Sequence, residues 1–306
     1  MKITVLGLCG NSVFLNVDHF HVPGETVHAR GLYAEPGGKG YNQAVAAQRL
    51  GAQVSFLGSI GDDADGRSCM EFLEKEGVTP VPQICDAVPS AYACILTDRE
   101  GENRVTVFSG AAQLLTPEFI RKKEQVISES DLLLLNNEYP QSCNEAAMEL
   151  AKKHGVKVVY NPAPARQVSA EFLRDCWVIT PNLSETAVLI GAEVSELPVL
   201  AEKLREQGIQ NAVVTLGGDG AAVFAGDDAL HIPACPTKAV DTTGAGDTFT
   251  AALCVALLEG KPIAEASVWA ANAAALSVAK QYVMPGLPSR DELEAKFAQL
   301  TPERIV

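Results

Sequence analysis

Short apolar segments rich in β-branched residues alternate with helical patterns along most of this chain. A fully buried strand gives a continuous apolar run, whereas a helix packed on a sheet repeats its apolar positions every three or four residues. Six segments fit the strand pattern: Ile3–Leu8, Val54–Leu57, Leu132–Leu135, Lys157–Tyr160, Trp177–Thr180 and Ala212–Leu216. Four fit the helical pattern and stop at a glycine: Tyr41–Leu50, Arg67–Glu76, Gln141–His154 and Leu200–Gln207. The alternation predicts an α/β fold with helices on both faces of a mostly parallel sheet.

The alternating pattern is interrupted twice and changes after residue 216. Segments at approximately 13–35 and 89–109 are rich in strand-forming residues and are predicted to pair as a small β-sheet lid. Ala221–Phe224 and Ala229–Ile232 have the pattern of an added hairpin, and helical patterns follow it. Because no Pro/Ser-rich linker or internal repeat divides the chain, residues 1–306 are expected to form a single domain.

Composition and charge exclude several classes of partner. The chain has 24 basic and 38 acidic residues, a net charge of −14, so nucleic acids and anionic membranes are not expected partners. No run of about 18 apolar residues is available to span a bilayer. The eight cysteines are scattered without a C-x-x-C pair, which is typical of reduced thiols in a cytoplasmic protein.

The segment VDTTGAGDTFTAAL, Val240–Leu253, places small residues and an acid where a long apolar helix begins. The N–H groups of Gly244, Ala245 and Gly246 would lie in the first helical turn, without partners, at the positive end of the helix dipole. Such a turn can bind a phosphate. Asp247, beside that pocket, could take the proton from a hydroxyl that attacks phosphorus. The alternative is an acid that only interacts with the helix dipole.

A second glycine-rich segment, EPGGKGYNQAVAAQRLGA at Glu35–Ala52, also leads into a helix. Gly38 and Gly40 allow the backbone to approach a ligand closely, and Lys39 adds a positive charge. The spacing fits neither G-x-x-x-x-G-K-[ST] nor G-x-G-x-x-G, so neither of those nucleotide-binding motifs is predicted. A tight strand-to-helix turn with a surface lysine explains the glycines equally well.

Two further motifs follow predicted strands. In ITPNLSETAVL, Asn182 and Glu185 are three residues apart at the start of a helix, a spacing that suits either a water-bridged magnesium or simple helix capping. In VTLGGDGAAVF, Thr215, Gly217 and Gly220 end a strand and form either a floor for a nucleotide or a plain hairpin.

Taken in order, these motifs make the chain resemble the ribokinase-like (PfkB) carbohydrate kinases. The resemblance spans nearly the whole chain: PGET at Pro23–Thr26, GGKGYNQAVAA at Gly37–Ala47, NPAPAR at Asn161–Arg166, TPNLSE at Thr180–Glu185, TLGGDG at Thr215–Gly220 and DTTGAGDTF at Asp241–Phe249. It implies a ribokinase-like three-layer sandwich with a small lid sheet. It also implies MgATP-dependent phosphorylation of a hydroxymethyl group of a sugar.

The resemblance also implies roles for individual residues. Asp247 matches the family's catalytic base, and Gly244, Ala245 and Gly246 match its anion hole. The residues implied in sugar binding are Gly38, Lys39, Asn42, Glu138 and Asp247. Those implied in ATP binding are Asn182, Thr215, Gly217, Gly220 and Asn272.

Metal sites and assembly are implied in the same way. Glu185 is expected to bind Mg²⁺ through water, and Asp241 with the Thr243 carbonyl to form part of a K⁺ site. The lid sheet is expected to join two copies of the chain in a homodimer.

Two departures from the family pattern leave the substrate open. Where the family has Asn-x-Asp after its first strand, this chain has Gly10 and Ser12, so a carboxylate that holds sugar hydroxyls is missing. Near the C-terminus Tyr282-Val283 replace the usual Gly-Ala, beside the expected K⁺ site. The alternatives are therefore a nucleoside or pseudouridine kinase of the same fold and, from another class, a non-catalytic sugar or nucleotide sensor.

Overall fold

The structure, a computed structural model, describes residues 1–100, 102–194 and 196–305. Its strands are β1 Lys2–Leu6, β2 Gly10–Asn16, β3 Gly31–Gly37, β4 Gln53–Gly61, β5 Thr79–Cys85, β6 Ala91–Thr97, β7 Asn103–Phe108, β8 Leu132–Leu135, β9 Lys157–Tyr160, β10 Val178–Ile179, β11 Asn211–Thr215, β12 Ala221–Ala225, β13 Asp228–Ile232 and β14 Glu303–Arg304. Its α-helices are α1 Lys39–Arg49, α2 Ala64–Lys75, α3 Pro117–Lys122, α4 Glu124–Ser128, α5 Gln141–His154, α6 Ala170–Asp175, α7 Leu183–Ile190, α8 Leu197–Glu206, α9 Ala245–Leu258, α10 Ile263–Val278, α11 Val283–Gly286 and α12 Arg290–Ala295.

Ten strands form one large sheet in the order β14-β13-β12-β11-β10-β9-β8-β1-β4-β5. The seven strands from β11 to β5 pair in parallel, and β12, β13 and β14 add to the β11 edge in antiparallel fashion. All six predicted core strands belong to the parallel part. The predicted hairpin after residue 216 is β12 and β13.

Helices cover both faces of this sheet, so the predicted α/β sandwich is confirmed. The strand β8 is buried on both sides: Leu132 and Leu134 join the core under α1, α9 and α10, whereas Leu133 and Leu135 join the core under α5 and α8. This alternation of one strand between two cores explains why its sequence reads as a continuous apolar run.

The sequence pattern missed β5, the strand at the far edge of the large sheet. Its sequence TPVPQIC contains Pro80 and Pro82, which remove two backbone donors and argue against a central strand. An edge strand tolerates this loss because one side of its backbone needs no partner. Within the described residues, no helix has the length and apolar character needed to cross a bilayer.

The lid is a separate four-stranded sheet in the order β3-β2-β6-β7. The outer pairs are antiparallel, whereas β2 and β6 at its centre are parallel. The first lid segment is longer than expected: its strands run from Gly10 to Gly37 rather than from 13 to 35, because Gly10 pairs with both Gly37 and Ala91. Strands β6 and β7 lie within the expected second segment at 89–109.

Glu35 on β3 fastens the lid to the C-terminal part of the chain. Its buried carboxylate accepts hydrogen bonds from the backbone N–H groups of Val283 and Met284, both at 2.9 Å. Burial raises the pKa of Glu35, and these two N–H groups oppose the rise. Nearby, Tyr282 stacks on Tyr33 of β3 with ring centroids 3.8 Å apart.

Tyr282 is the non-glycine residue of the described chain that has a positive φ, at 68°. A bulky residue in the left-handed region is strained by about 1–3 kcal/mol. The stacking on Tyr33 and an edge contact with Phe14, whose ring centroid is 5.4 Å away, offset this strain. The unusual Tyr-Val pair therefore joins the lid to the body of the protein.

We expect Glu35→Ala to lower the free energy of unfolding by about 2 kcal/mol, because two buried N–H groups lose their acceptor. Urea unfolding followed by circular dichroism measures this change. Glu25→Ala is the control, because that carboxylate is exposed and also accepts a backbone N–H, from Val22. Equal stability of the Glu35 and Glu25 variants would show that Glu35 does not fasten the lid.

Candidate active site

Polar side chains from several elements meet around a cavity of about 210 Å³ at the carboxyl ends of the parallel strands. Strands β9, β10 and β11 end here, and helices α7 and α9 begin here. The residues around the cavity are Lys39, Asn161, Ala163, Thr180, Asn182, Glu185, Thr215, Thr242, Gly244, Gly246 and Asp247. Carboxyl strand ends and helix N-termini gather at one edge of a parallel sheet, so anions are bound there.

The N-terminus of α9 supplies backbone donors to this cavity. Gly244 caps the helix in the left-handed conformation, with φ 77°, and a Cβ at Gly246 would meet no atom within 4 Å. Within the described residues, the N–H groups of Gly244, Gly246 and Asp247 have no hydrogen-bond acceptor in the protein. Ala245 differs from the expectation, since its N–H donates to the Thr242 carbonyl at 3.2 Å in the turn that precedes the helix.

The carboxylate of Asp247 is 6% exposed and is held by two amides of α1. Asn42 Nδ2 donates to Oδ2 at 2.8 Å, and Gln43 Nε2 donates to Oδ1 at 3.3 Å. Burial raises the pKa of Asp247, whereas the charge of Lys39 and the two amide donors lower it. The Asp247 charge in turn raises the pKa of Lys39.

The loop before α1 packs too tightly for side chains at its glycines. Gly38 has φ 130°, and a Cβ there would lie 2.2 Å from the Leu8 carbonyl oxygen. The loop is bound by Glu138, whose carboxylate accepts from the N–H groups of Lys39 at 2.7 Å and Gly40 at 3.0 Å. The glycines therefore place Lys39 beside the cavity and Asn42 against Asp247, which borders it.

Asn182 and Glu185 form a capping box at the start of α7. Asn182 Oδ1 accepts from the Glu185 N–H, and Glu185 Oε2 accepts from the Asn182 N–H, both at 2.8 Å. Both residues also border the cavity. Glu185 Oε1 has no hydrogen-bond partner in the described part of the chain, so capping leaves one oxygen of this carboxylate for a ligand.

A second cavity of about 370 Å³ adjoins the first and shares Thr242 with it. Gly217 and Gly220 form part of its wall, and Phe249 with alanines of α10 gives it an apolar character. Asn272 does not border this cavity. Its Nδ2 donates to the carbonyls of Val268 and Ala298, and its Oδ1 accepts from the Ala298 N–H. Asn272 thus holds the C-terminal segment against α10.

The carboxylate of Asp241 is already engaged by the backbone. Its Oδ1 accepts from the Thr243 N–H at 2.9 Å, and its Oδ2 accepts from the Tyr282 N–H at 3.0 Å. Each oxygen keeps a lone pair, so these contacts are compatible with a cation at this turn. Asp241 and Tyr282 also connect the loop before α9 to the residues that fasten the lid.

Comparisons with known proteins identify the family. Residues 1–290 match the family model described as "pfkB family carbohydrate kinase". The chain is 38% identical over 295 residues to the ribokinase of Haemophilus influenzae. The aligned region covers 95% of this chain and 96% of that protein. The chain belongs to the PfkB family. It is a ribokinase-family sugar kinase and thus a phosphotransferase.

Solved structures agree with this assignment. The ribokinase of Thermotoga maritima superposes on this PfkB kinase with a TM-score of 0.87 and 36% identity, over 96% of this chain and 98% of that one. The ribokinase of Arabidopsis thaliana, solved with ribose and ATP, superposes with a TM-score of 0.87 and 28% identity, over 97% and 99% of the two chains.

Ser12 lies on the lid strand β2, directly opposite Glu35 of β3. Its Oγ and Asn42 Oδ1 both lie within 4 Å of the point where a Cβ on Gly37 would be, so Ser12 lies beside the loop that precedes α1. Glu35 is on the same face of the lid, but its two oxygens are bound to Val283 and Met284. In this PfkB kinase Glu35 therefore does not replace the missing carboxylate.

Sequence reasoning missed four polar residues of this site: Gln43, Asn161, Thr180 and Thr242. Gln43 Nε2 donates to Asn161 Oδ1 at 3.0 Å, and Asn161 Nδ2 donates to the Thr180 carbonyl at 2.7 Å. A usable signal was present, because Asn161 follows β9 and Thr180 follows β10, and neighbouring parallel strands end at the same edge. Gln43 offered no such signal.

We expect Glu138 to make stability depend on pH near neutrality. Burial raises its pKa to about 7, despite N–H donors and the charge of Lys39. Between pH 4.5 and 7 the folded protein thus binds more protons than the unfolded chain, and the free energy of unfolding falls as pH rises, by about 3 kcal/mol in total. Urea unfolding at several pH values should show a fall about 3 kcal/mol larger in the wild type than in Glu138→Gln, since Asp247 and Glu35 keep their own contributions.

The control variant is Glu145→Gln, which changes an exposed glutamate on α5. It should keep the pH dependence of the wild type. Identical pH profiles for Glu138→Gln and the wild type would mean that Glu138 is not the group responsible.

Proposed function

We propose that this kinase transfers the γ-phosphoryl group of MgATP to a hydroxymethyl group of a sugar, with Asp247 as the base. The observation that carries this proposal is a buried carboxylate beside three unpaired N–H groups at a helix N-terminus. Asp247 accepts the proton of the acceptor hydroxyl as its oxygen bonds to phosphorus. The bond between the γ-phosphorus and the bridging oxygen breaks, and ADP leaves.

The backbone donors act on the transferring group. The N–H groups of Gly244 and Gly246 stabilise the negative charge that moves across the phosphoryl oxygens, because both residues line the cavity and neither N–H has an acceptor among the described residues. Magnesium, when bound, neutralises charge on the phosphates of ATP. Glu185 has a free oxygen for a water of that ion, and Asn182 orients Glu185 through the capping box.

The acceptor and the nucleotide would occupy opposite sides of Asp247. The sugar lies against Gly38, Lys39, Asn42 and Glu138, where Asn42 Oδ1 has no partner among the described residues and can accept from a sugar hydroxyl. The nucleotide occupies the 370 Å³ cavity, with Gly217 and Gly220 in its wall, and reaches Thr215 in the adjoining 210 Å³ cavity.

The supporting comparison is the Arabidopsis thaliana ribokinase, whose structure contains ribose and ATP. Ribose is therefore the first acceptor to test. A nucleoside or pseudouridine is the second candidate, because Ser12 stands where a carboxylate would hold sugar hydroxyls. The proposal includes activation by K⁺ bound at Asp241 and Thr243. It also includes a cytoplasmic location, which keeps the eight free cysteines reduced.

The proposal is tested by ADP release with ATP, Mg²⁺ and a panel of pentoses, hexoses, ketoses and nucleosides, with and without K⁺. We expect turnover with a sugar, and a loss of about 10²–10⁴-fold in kcat for Asp247→Asn, whose amide cannot act as a base. Turnover only with nucleosides would select the second candidate. Binding of sugar without ADP release would favour a sensor.

The control for Asp247→Asn is Asp291→Asn. Asp291 is an exposed acid in the first turn of α12, so it shares the helix-dipole role but not the cavity. It should keep wild-type kcat. Turnover of Asp247→Asn near the wild-type rate would remove Asp247 from the role of base.

We also propose that two copies of the chain pair through their lids. The large exposed apolar side chains of the lid lie on both of its faces, and the most exposed of them are Leu32 at 69%, Val105 at 55%, Val107 at 56% and Phe108 at 52%. Leu32 and Phe108 lie on the face opposite Glu35, and exposed apolar side chains on a small sheet of this kind are typically covered by a partner. The symmetric partner is a second copy, so that both lids are covered together.

We expect Val107→Asp/Phe108→Asp to weaken dimerisation at least about tenfold, because charge enters an apolar contact. Analytical ultracentrifugation over a range of concentrations measures it. Val199→Asp, on α8 and 39% exposed, is the matched control and should leave the dimer intact. A wild-type chain that sediments as a monomer at about 100 μM would contradict pairing through the lid.

A further inference from the structure

Gln43 is a fully buried glutamine that lies between two polar groups of the active site. Its side chain is 0% exposed. The single nitrogen Nε2 lies 3.3 Å from Asp247 Oδ1 and 3.0 Å from Asn161 Oδ1, so its two hydrogens are directed at two different acceptors. The residue thereby connects α1, α9 and the end of β9.

The far side of this bridge is also fixed. Asn161 Nδ2 donates to the Thr180 carbonyl at 2.7 Å, which orients the Asn161 oxygen towards Gln43. On the other carboxylate oxygen, Asn42 Nδ2 donates to Asp247 Oδ2 at 2.8 Å. Each oxygen of Asp247 is therefore held by one amide of the first turn of α1, and the carboxylate plane is defined.

The orientation of the Gln43 amide follows from its two hydrogen-bond acceptors. Turning it over would place Oε1 against the oxygens of Asp247 and Asn161, which are both acceptors. In the present orientation Oε1 is a buried atom without a hydrogen-bond partner in the described part of the chain. A buried oxygen without a partner is unfavourable. The two N–H donors of the same amide are therefore the reason for a glutamine at this position.

We propose that Gln43 is a positioning residue that orients the Asp247 carboxylate towards the acceptor hydroxyl. The inference rests on the proposed role of Asp247 as base. Gln43 occupies Oδ1 and directs the remaining lone pairs of the carboxylate. It also favours the ionised form, which is the form that can accept a proton.

Other charged groups face Asp247 and contribute to its acidity. Lys39 from α1 favours the charged form, whereas Glu185 from α7 and Glu138 from the segment before α5 oppose it. These groups remain when Gln43 is changed. A change in the pH profile of a Gln43 variant would therefore report the lost amide.

The test is Gln43→Met, which has similar volume but no donor, assayed as kcat against pH in the full-length protein. We expect kcat to fall about tenfold, with the acid limb of the profile moved about one pH unit higher, because Asp247 without this donor binds its proton more tightly. KM for the acceptor should change less than about threefold, since Gln43 does not border the cavity.

Gln48→Met is the matched control. Gln48 lies on the same helix, is half-buried and accepts from the Val54 N–H, so the same substitution removes one hydrogen bond far from Asp247. It should keep the wild-type pH profile. If Gln43→Met also keeps that profile and kcat, the positioning role is refuted.

Two measurements keep the result interpretable. Gln43→Glu has the same size and places a negative charge against Asp247, so its acid limb should move further than that of Gln43→Met; an unshifted profile in this variant also refutes the proposal.

Asp247→Asn in the same assay separates the two hypotheses. If it remains active, the assignment of the base has failed; if it is inactive while Gln43→Met is unchanged, only the role of Gln43 has failed.

Discussion

The active site depends on keeping one carboxylate charged inside the protein. Asp247 is buried at the start of α9, and burial alone favours its neutral form. Three kinds of group oppose this: the dipole of α9, the amides of Asn42 and Gln43, and the charge of Lys39. All the side chains among them come from the N-terminal part of α1, so the packing of α1 against α9 determines whether Asp247 is ionised.

This requirement explains the loop that precedes α1. The helix can approach α9 and the end of β1 only if the loop passes very close to the backbone of Leu8, which the glycine at position 38 permits. The Glu138 carboxylate then accepts hydrogen bonds from the N–H groups of this loop, and the lid strand β3 leads directly into the loop. Glu35 and Tyr282 fasten the lid, and the Tyr282 N–H donates to Asp241 in the turn that leads to Gly244 and the unpaired N–H groups of the described α9 N-terminus. Hydrogen bonds and chain connections therefore link the loop before α1, the lid and the turn before α9.

The parallel sheet and the polar residues at its edge were predictable, because buried strands have unbroken apolar runs and glycine-rich turns follow them. The errors have physical causes. β5 was missed because two prolines hide an edge strand, and the lid boundaries were short because Gly10 pairs with residues 27 and 81 positions away. The Ala245 N–H donates to Thr242 and the Asn272 side chain bonds to Ala298, while the anion-binding and ATP-binding roles of these two residues stay predictions.

The sequence by itself determined the alternation of the core strands with helices, the family and the position of Asp247 in the first turn of a helix, since all of these depend on local pattern and motif. Only the tertiary structure decided which partners hold that carboxylate. Asn42 and Asp247 are separated by 205 residues, and Gln43 and Asn161 by 118. Contacts at such separations follow from how helices pack across a sheet, and no local propensity specifies which side chain faces which acceptor.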